Sequence, residues 1–83
     1  MATYPSMKPA ALLKVLKKQL GYREDGSHRT GGSHRQFRAE GLPTLTWAFH
    51  SGDEIPPFLV RKILTKDIGL TDAAAERLLG LRR

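Results

Sequence analysis

The sequence contains no cysteine, which excludes disulfide staples and thiolate metal sites and leaves the fold to hydrophobic burial and hydrogen bonding. Long apolar runs are also missing: none approaches the roughly 20 residues that span a bilayer. The N-terminus has no basic flank leading into an apolar signal core. These absences together read as a soluble, unprocessed protein of the cytoplasm with no membrane partner. Acidic residues are few, eight Asp and Glu against fourteen Lys and Arg, for a net charge of +6. Such an excess favours partners rich in phosphate or carboxylate, nucleic acid first among them. Charge of this kind also serves simply to keep a small protein in solution, so it does not decide function alone.

What the chain does have is enough apolar material for one modest core. Hydrophobic residues make up 40% of its 83 positions, which argues for a globule over a disordered basic tail. A chain of this length buries only about 60% of the surface it exposes when unfolded. The expectation is one domain over residues 1–83, with a core of about 7–70 and a helical extension over 71–83.

Pro9 suits the first turn of a helix, and Leu12, Leu13, Val15, Leu16 and Leu20 follow as an apolar stripe opposite Lys14, Lys17 and Lys18. Gly21 is placed to end that helix in a left-handed conformation. From Tyr22 to Phe49 the period changes to two, punctuated by glycines at 26, 31, 32 and 41 and by Pro43. One strand is expected over Ser33 to Arg38 and its antiparallel neighbour over Thr44 to Phe49, with a turn at Ala39, Glu40 and Gly41 and a weaker strand starting at Tyr22. Alternation puts Arg35 and Phe37 on one face of the first of these strands and His34, Gln36 and Arg38 on the other. In the second, Leu45, Trp47 and Phe49 form the apolar face. With those aromatic faces against helices, His34 and His50 both point to the open side.

Pro56 and Pro57 can open a second helix, with Phe58, Leu59, Ile63 and Leu64 as its buried face and Arg61, Lys62 and Lys66 left for solvent or a partner. Thr71 reads as the N-cap of a short terminal helix carrying Asp72 in its first turn and Leu78, Leu79 and Leu81 on its apolar side. The order predicts an α+β fold, α-β-β-β-α, with the helices on one face of a small antiparallel sheet and a short C-terminal helical extension. Double-stranded RNA-binding domains share this outline, which by itself carries no activity.

The chain contains one internal repetition. Gly26-Ser27-His28-Arg29 recurs as Gly32-Ser33-His34-Arg35, and only the second copy runs straight into strand-like residues, Gln36 and Phe37. A glycine ahead of a histidine lets a bulky ligand approach the backbone, and an adjoining strand holds the imidazole still. The segment Gly32-Ser33-His34-Arg35-Gln36-Phe37 resembles the mark of the HicA (YcfA-like) toxins, a Gly-Ser-His followed by an aromatic or apolar strand residue. The similarity extends through His50-Ser51-Gly52-Asp53-Glu54-Ile55-Pro56, Leu59-Val60-Arg61-Lys62-Ile63-Leu64 and Gly69-Leu70, so that it covers about Met7 to Leu70. The stretch between Gly21 and Gly32, which holds the extra Gly-Ser-His, is longer than the family usually has.

That resemblance implies the toxin of a toxin–antitoxin pair, an endoribonuclease that cleaves messenger RNA and is silenced by a HicB antitoxin. RNA carries its own nucleophile, so such an enzyme needs a base for the 2′-hydroxyl, an acid for the leaving oxygen and positive charge for the phosphate. Histidine serves the first two near neutral pH, with no cofactor and no metal. On this reading His34 is the catalytic group, His50 assists across the same face, and Arg35, Arg38, Lys62, Gln36 and Ser33 contact RNA. Arg35 is the weakest of these, since alternation turns it towards the helices. The alternative, from another class, is a noncatalytic RNA-binding module of the same outline. A third is a protein-interaction domain whose basic surface meets an acidic partner. A zinc site built on His28, His34 and His50 is disfavoured because their spacing matches no common ligand pattern. Trp47 and Tyr22 could stack on bases, but the alternation of Trp47 with Leu45 and Phe49 favours the core. The lysine face of the first helix is either a solvated surface or part of the field that attracts RNA.

Overall fold

The computed structural model describes residues 3–25, 35–50 and 52–81. Helix α1 covers Pro9–Val15 and continues as a widened, π-type turn over Leu16–Leu20. Strands β1 (Arg23–Glu24), β2 (Arg35–Arg38) and β3 (Leu45–Trp47) follow, then helix α2 (Pro57–Lys62) with its own π-type turn over Ile63–Asp67, and helix α3 (Asp72–Leu78). The three strands form one antiparallel sheet in the order β1-β2-β3. This is the expected α-β-β-β-α arrangement with an added helix.

The helices start and stop by the means expected of their residues. Pro9 and Pro57 occupy the first turns of α1 and α2, where a missing N–H costs nothing. The Thr71 hydroxyl accepts the Ala74 N–H at 3.1 Å and so caps α3. Both longer helices end alike. Gly21 and Gly69 take left-handed φ values of 80° and 93°. Beyond them the Tyr22 and Leu70 amides donate to carbonyls six residues back, at Leu16 and Leu64. Gly21 was expected in this role; the widening of the turn that precedes it has no signature in the sequence.

The core lies between the helices and one face of the sheet. Leu12 and Leu16 of α1, Phe37 of β2, Leu45 and Trp47 of β3, Val60, Ile63 and Leu64 around α2, and Ala75 of α3 belong to one buried cluster. Phe37 stands edge-on to Trp47 at 6.1 Å, and Trp47 edge-on to Phe49 at 5.1 Å. Phe58 departs from expectation: it is 73% exposed, whereas Val60, not among the residues assigned to the buried face, is fully buried. Residues two apart on a helix are separated by about 200°, so burying Val60 with Ile63 and Leu64 turns Phe58 to solvent. Strand β3 is shorter than the expected Thr44 to Phe49, and Phe49 packs on Trp47 from beyond its end.

An antiparallel bridge holds the start of the two-helix layer. Met7 and Ile55 exchange both backbone hydrogen bonds, at 3.0 and 2.8 Å. The Ser6 hydroxyl donates to Glu54 at 2.7 Å, and Lys8 lies 3.8 Å from the same carboxylate. At the far side Arg61 forks onto Asp72 with two bonds of 3.0 Å, joining α2 to α3. That fork raises the Arg61 pKa and lowers that of Asp72.

Candidate nucleic-acid interface

The alternation of β2 sorts its residues between two surfaces. Phe37 is fully buried against the helices, and Arg35 shares that side. Gln36 and Arg38 lie on the opposite face, Gln36 half-buried and Arg38 exposed. Arg35 is held by its surroundings: its Nε and Nη2 each donate to Glu24 at 2.9 Å, and its guanidinium sits 5.1 Å from the centre of the Phe37 ring. The hydrogen bonds it donates to Glu24 push its pKa up. Lys17 of α1 also approaches the Phe37 ring, at 5.6 Å.

On the face that carries no helix among the described residues, Arg38 stands opposite Arg23 of β1 in the strand register. Its Nε lies 2.7 Å from Asp25 Oδ2, whose side chain is only 14% exposed. Two like charges placed directly across a pair of strands repel, and the Asp25 carboxylate beside Arg38 eases that cost. Arg23 and Arg38 border two adjoining hollows. One, of about 400 Å³, is completed by Glu24 and Asp25. The other, of about 540 Å³, includes Leu20, Gly21, Ala39 and Glu40. A facing arginine pair beside open hollows suits a phosphate, which accepts two charge-assisted bonds from a planar guanidinium fork.

Arg23 was not among the expected RNA contacts, although the signal was present. With Tyr22 buried, alternation sends Arg23 and Asp25 to the open side and Glu24 to the side of Arg35. Only the pairing of β1 with β2 shows that Arg23 meets Arg38. The other expected residues are distributed differently. His50 is exposed, past the end of β3, where its backbone N–H donates to Asp53 Oδ2 at 2.8 Å. Lys62 belongs to α2, and its Nζ reaches Asp67 at 3.4 Å. Ser33, His34 and His28 lie outside the described residues; His34 immediately precedes Arg35, the first residue of β2.

The two aromatic residues considered for base stacking are in the core, Trp47 as its alternation with Leu45 and Phe49 favoured. Trp47 is 2% exposed and Tyr22 is 1% exposed. The Tyr22 hydroxyl donates to the Pro43 carbonyl at 2.7 Å, tying the end of α1 to the turn before β3. Among the described residues, no three His, Asp or Glu side chains are grouped so as to hold a metal ion, and no helix is long and apolar enough to cross a membrane.

A family model, that of the HicA toxin of bacterial toxin–antitoxin systems, matches residues 10–70. No curated protein and no solved structure matches the chain. The matched segment runs from α1 through the whole sheet to the end of the turn after α2, well over half of the sequence, and the chain therefore belongs to the HicA toxin family.

Proposed function

We propose that this toxin is an endoribonuclease that cleaves messenger RNA through general acid–base catalysis by His34 and is neutralised by a HicB-type antitoxin. The observation that supports it most is the face of β2 that no helix covers among the described residues. There Gln36 and Arg38 stand beside Arg23, directly downstream of the Gly32-Ser33-His34 motif. Arg23 and Arg38 supply fixed positive charge for a phosphodiester, and Gln36 offers a donor and an acceptor between that charge and the motif.

In this mechanism the His34 imidazole takes the proton of a ribose 2′-hydroxyl, whose oxygen attacks the adjacent phosphorus. The bond from phosphorus to the 5′-oxygen breaks, and that oxygen takes up a proton as it leaves. His50, exposed near the far end of β3, is the candidate donor. The arginines stabilise the charge that accumulates on the non-bridging oxygens, a term that acts most strongly when the donors are already in place. Arg35 is assigned a structural part, since its guanidinium is occupied by Glu24 and the Phe37 ring.

The test is expression of the wild type and of His34→Ala, scoring growth arrest and RNA integrity together, followed by assay of the purified proteins. The expected outcome is loss of cleavage by at least about 10²-fold in a variant that keeps its fold and its affinity for RNA. Cleavage that persists in His34→Ala removes that residue from the mechanism. Tight, salt-sensitive binding by the wild type without any cleavage replaces the reading with that of an RNA-binding module.

A further inference from the structure

A second surface lies at the other end of the sheet. With the order β1-β2-β3, the outer edge of β3 is the last of the sheet. The direction of its backbone groups follows from the register. Asp25 N–H donates to the Gln36 carbonyl at 2.7 Å, so the Gln36 backbone faces β1. Gln36 is the partner of Thr46. That pair is consequently the non-hydrogen-bonded kind, and the N–H and C=O of Thr46 turn outward, away from β2.

Natural edge strands are usually guarded by charge, proline or a bulge against unplanned pairing. The opposite edge follows this rule, since β1 consists of Arg23 and Glu24. The β3 edge does not: no charged residue occurs from Leu42 to Phe49, and Pro43 stands ahead of the strand and not within it. Beneath this edge is a cleft of about 150 Å³, lined by Leu45, Trp47, Phe49, Leu59 and Ile63 and also by Asp67. It has the size for one aliphatic side chain, at the position where a strand added to β3 would direct alternate residues towards the helices.

A second copy of the chain does not suit this place. The helix-facing residues of its own β3 are Leu45 and Trp47, 4% and 2% exposed, already committed to its own core. Two copies would also bring together two molecules of net charge +6. A foreign strand with a free aliphatic side chain meets neither difficulty, and acidic flanks would match the net charge of +6 on the molecule.

We propose that the outer edge of β3, with the cleft beneath it, docks an extended segment of an acidic partner protein, which adds as a fourth strand and inserts one aliphatic side chain between Trp47 and Leu59. This inference does not depend on RNA cleavage or on His34. The probe is the soluble peptide Glu-Glu-Thr-Val-Thr-Ile-Thr-Glu-Glu, titrated into the isotopically labelled full chain. Saturation should slow amide exchange at Thr46 and shift the Trp47 indole resonance. The same peptide with its middle residue replaced by proline should not bind. Leu59→Glu, which puts a carboxylate into the cleft, and Thr46→Pro, which removes the outward donor, should each weaken binding by at least about tenfold. Should Thr46→Pro lose its fold, Leu59→Glu decides. Unchanged affinity in the folded Leu59→Glu variant overturns the proposal. So do shifts confined to the Lys14, Lys17 and Lys18 face or to the groove around Phe58. Thr46 protection that grows with protein concentration and needs no peptide also overturns it, in favour of self-association.

Discussion

Tyr4 and Tyr22, the only tyrosines in the chain, are both buried and both have their pKa raised. For Tyr22 the cause is burial alone; for Tyr4 the carboxylates of Asp72 and Glu76 add to it. A raised pKa means that the folded form holds the proton more tightly than the unfolded chain. The stability this contributes is complete below the unfolded value near 10 and is lost as pH rises through the folded values. Tyrosinate absorbance in an alkaline titration should therefore appear together with the loss of helical circular dichroism. Ionisation of both tyrosines with the fold intact would contradict their placement. At this same scale the sequence was readable wherever one period governed a residue. Phe37, Leu45 and Trp47 were assignable from alternation, whereas Phe58 was misplaced because a residue just inside a proline-led helix belongs to two plausible stripes. Which arginine is bound by which carboxylate was not readable, since Glu24 meets Arg35 across eleven residues.

Among the elements, α3 offers the cleanest test of local rules. Its cap is a single hydrogen bond from the Ala74 N–H to the Thr71 hydroxyl, at an exposed position. Thr71→Ala should cost about 1 kcal/mol in denaturant unfolding, with Thr71→Ser restoring most of it. Gly21→Ala should cost a similar amount, about 1–2 kcal/mol, by another route. A Cβ there meets nothing within 4 Å, so the penalty is that of the backbone at φ 80°. The punctuation behind these helix boundaries, Pro9, Gly21, Pro57 and Thr71, could be read directly because each acts on its own neighbours. Strand β1 could be suspected but not registered. Two residues give no period, and the encounter of Arg23 with Arg38 exists only in the pairing of strands.

At the scale of the whole molecule, the net charge of +6 predicts that affinity for RNA falls steeply with salt. Removing one cation that contacts phosphate should reduce the magnitude of the salt slope by about one, and Arg23→Gln and Arg38→Gln should each do so. Arg35→Gln should leave the slope nearly unchanged and lower stability instead, since its guanidinium lies against Glu24 and Phe37 on the other side of the sheet from Arg23 and Arg38. Equal slopes in all three variants would remove the open sheet face from the RNA interface. Composition showed the excess of positive charge, but its division into arginines held by carboxylates and arginines facing solvent required the fold.

The bridge between Met7 and Ile55 has a bearing on how such a chain tolerates change. It fastens the segments leading into α1 and α2 to each other, with Ser6 and Glu54, 48 positions apart, bonded alongside. The two helices that cover one face of the sheet thereby start from a common anchor, and a change in the number of residues between β1 and β2 should leave that anchor in place. The duplicated Gly-Ser-His segment falls in that interval. A change of length there falls outside the register that sets Arg23 against Arg38.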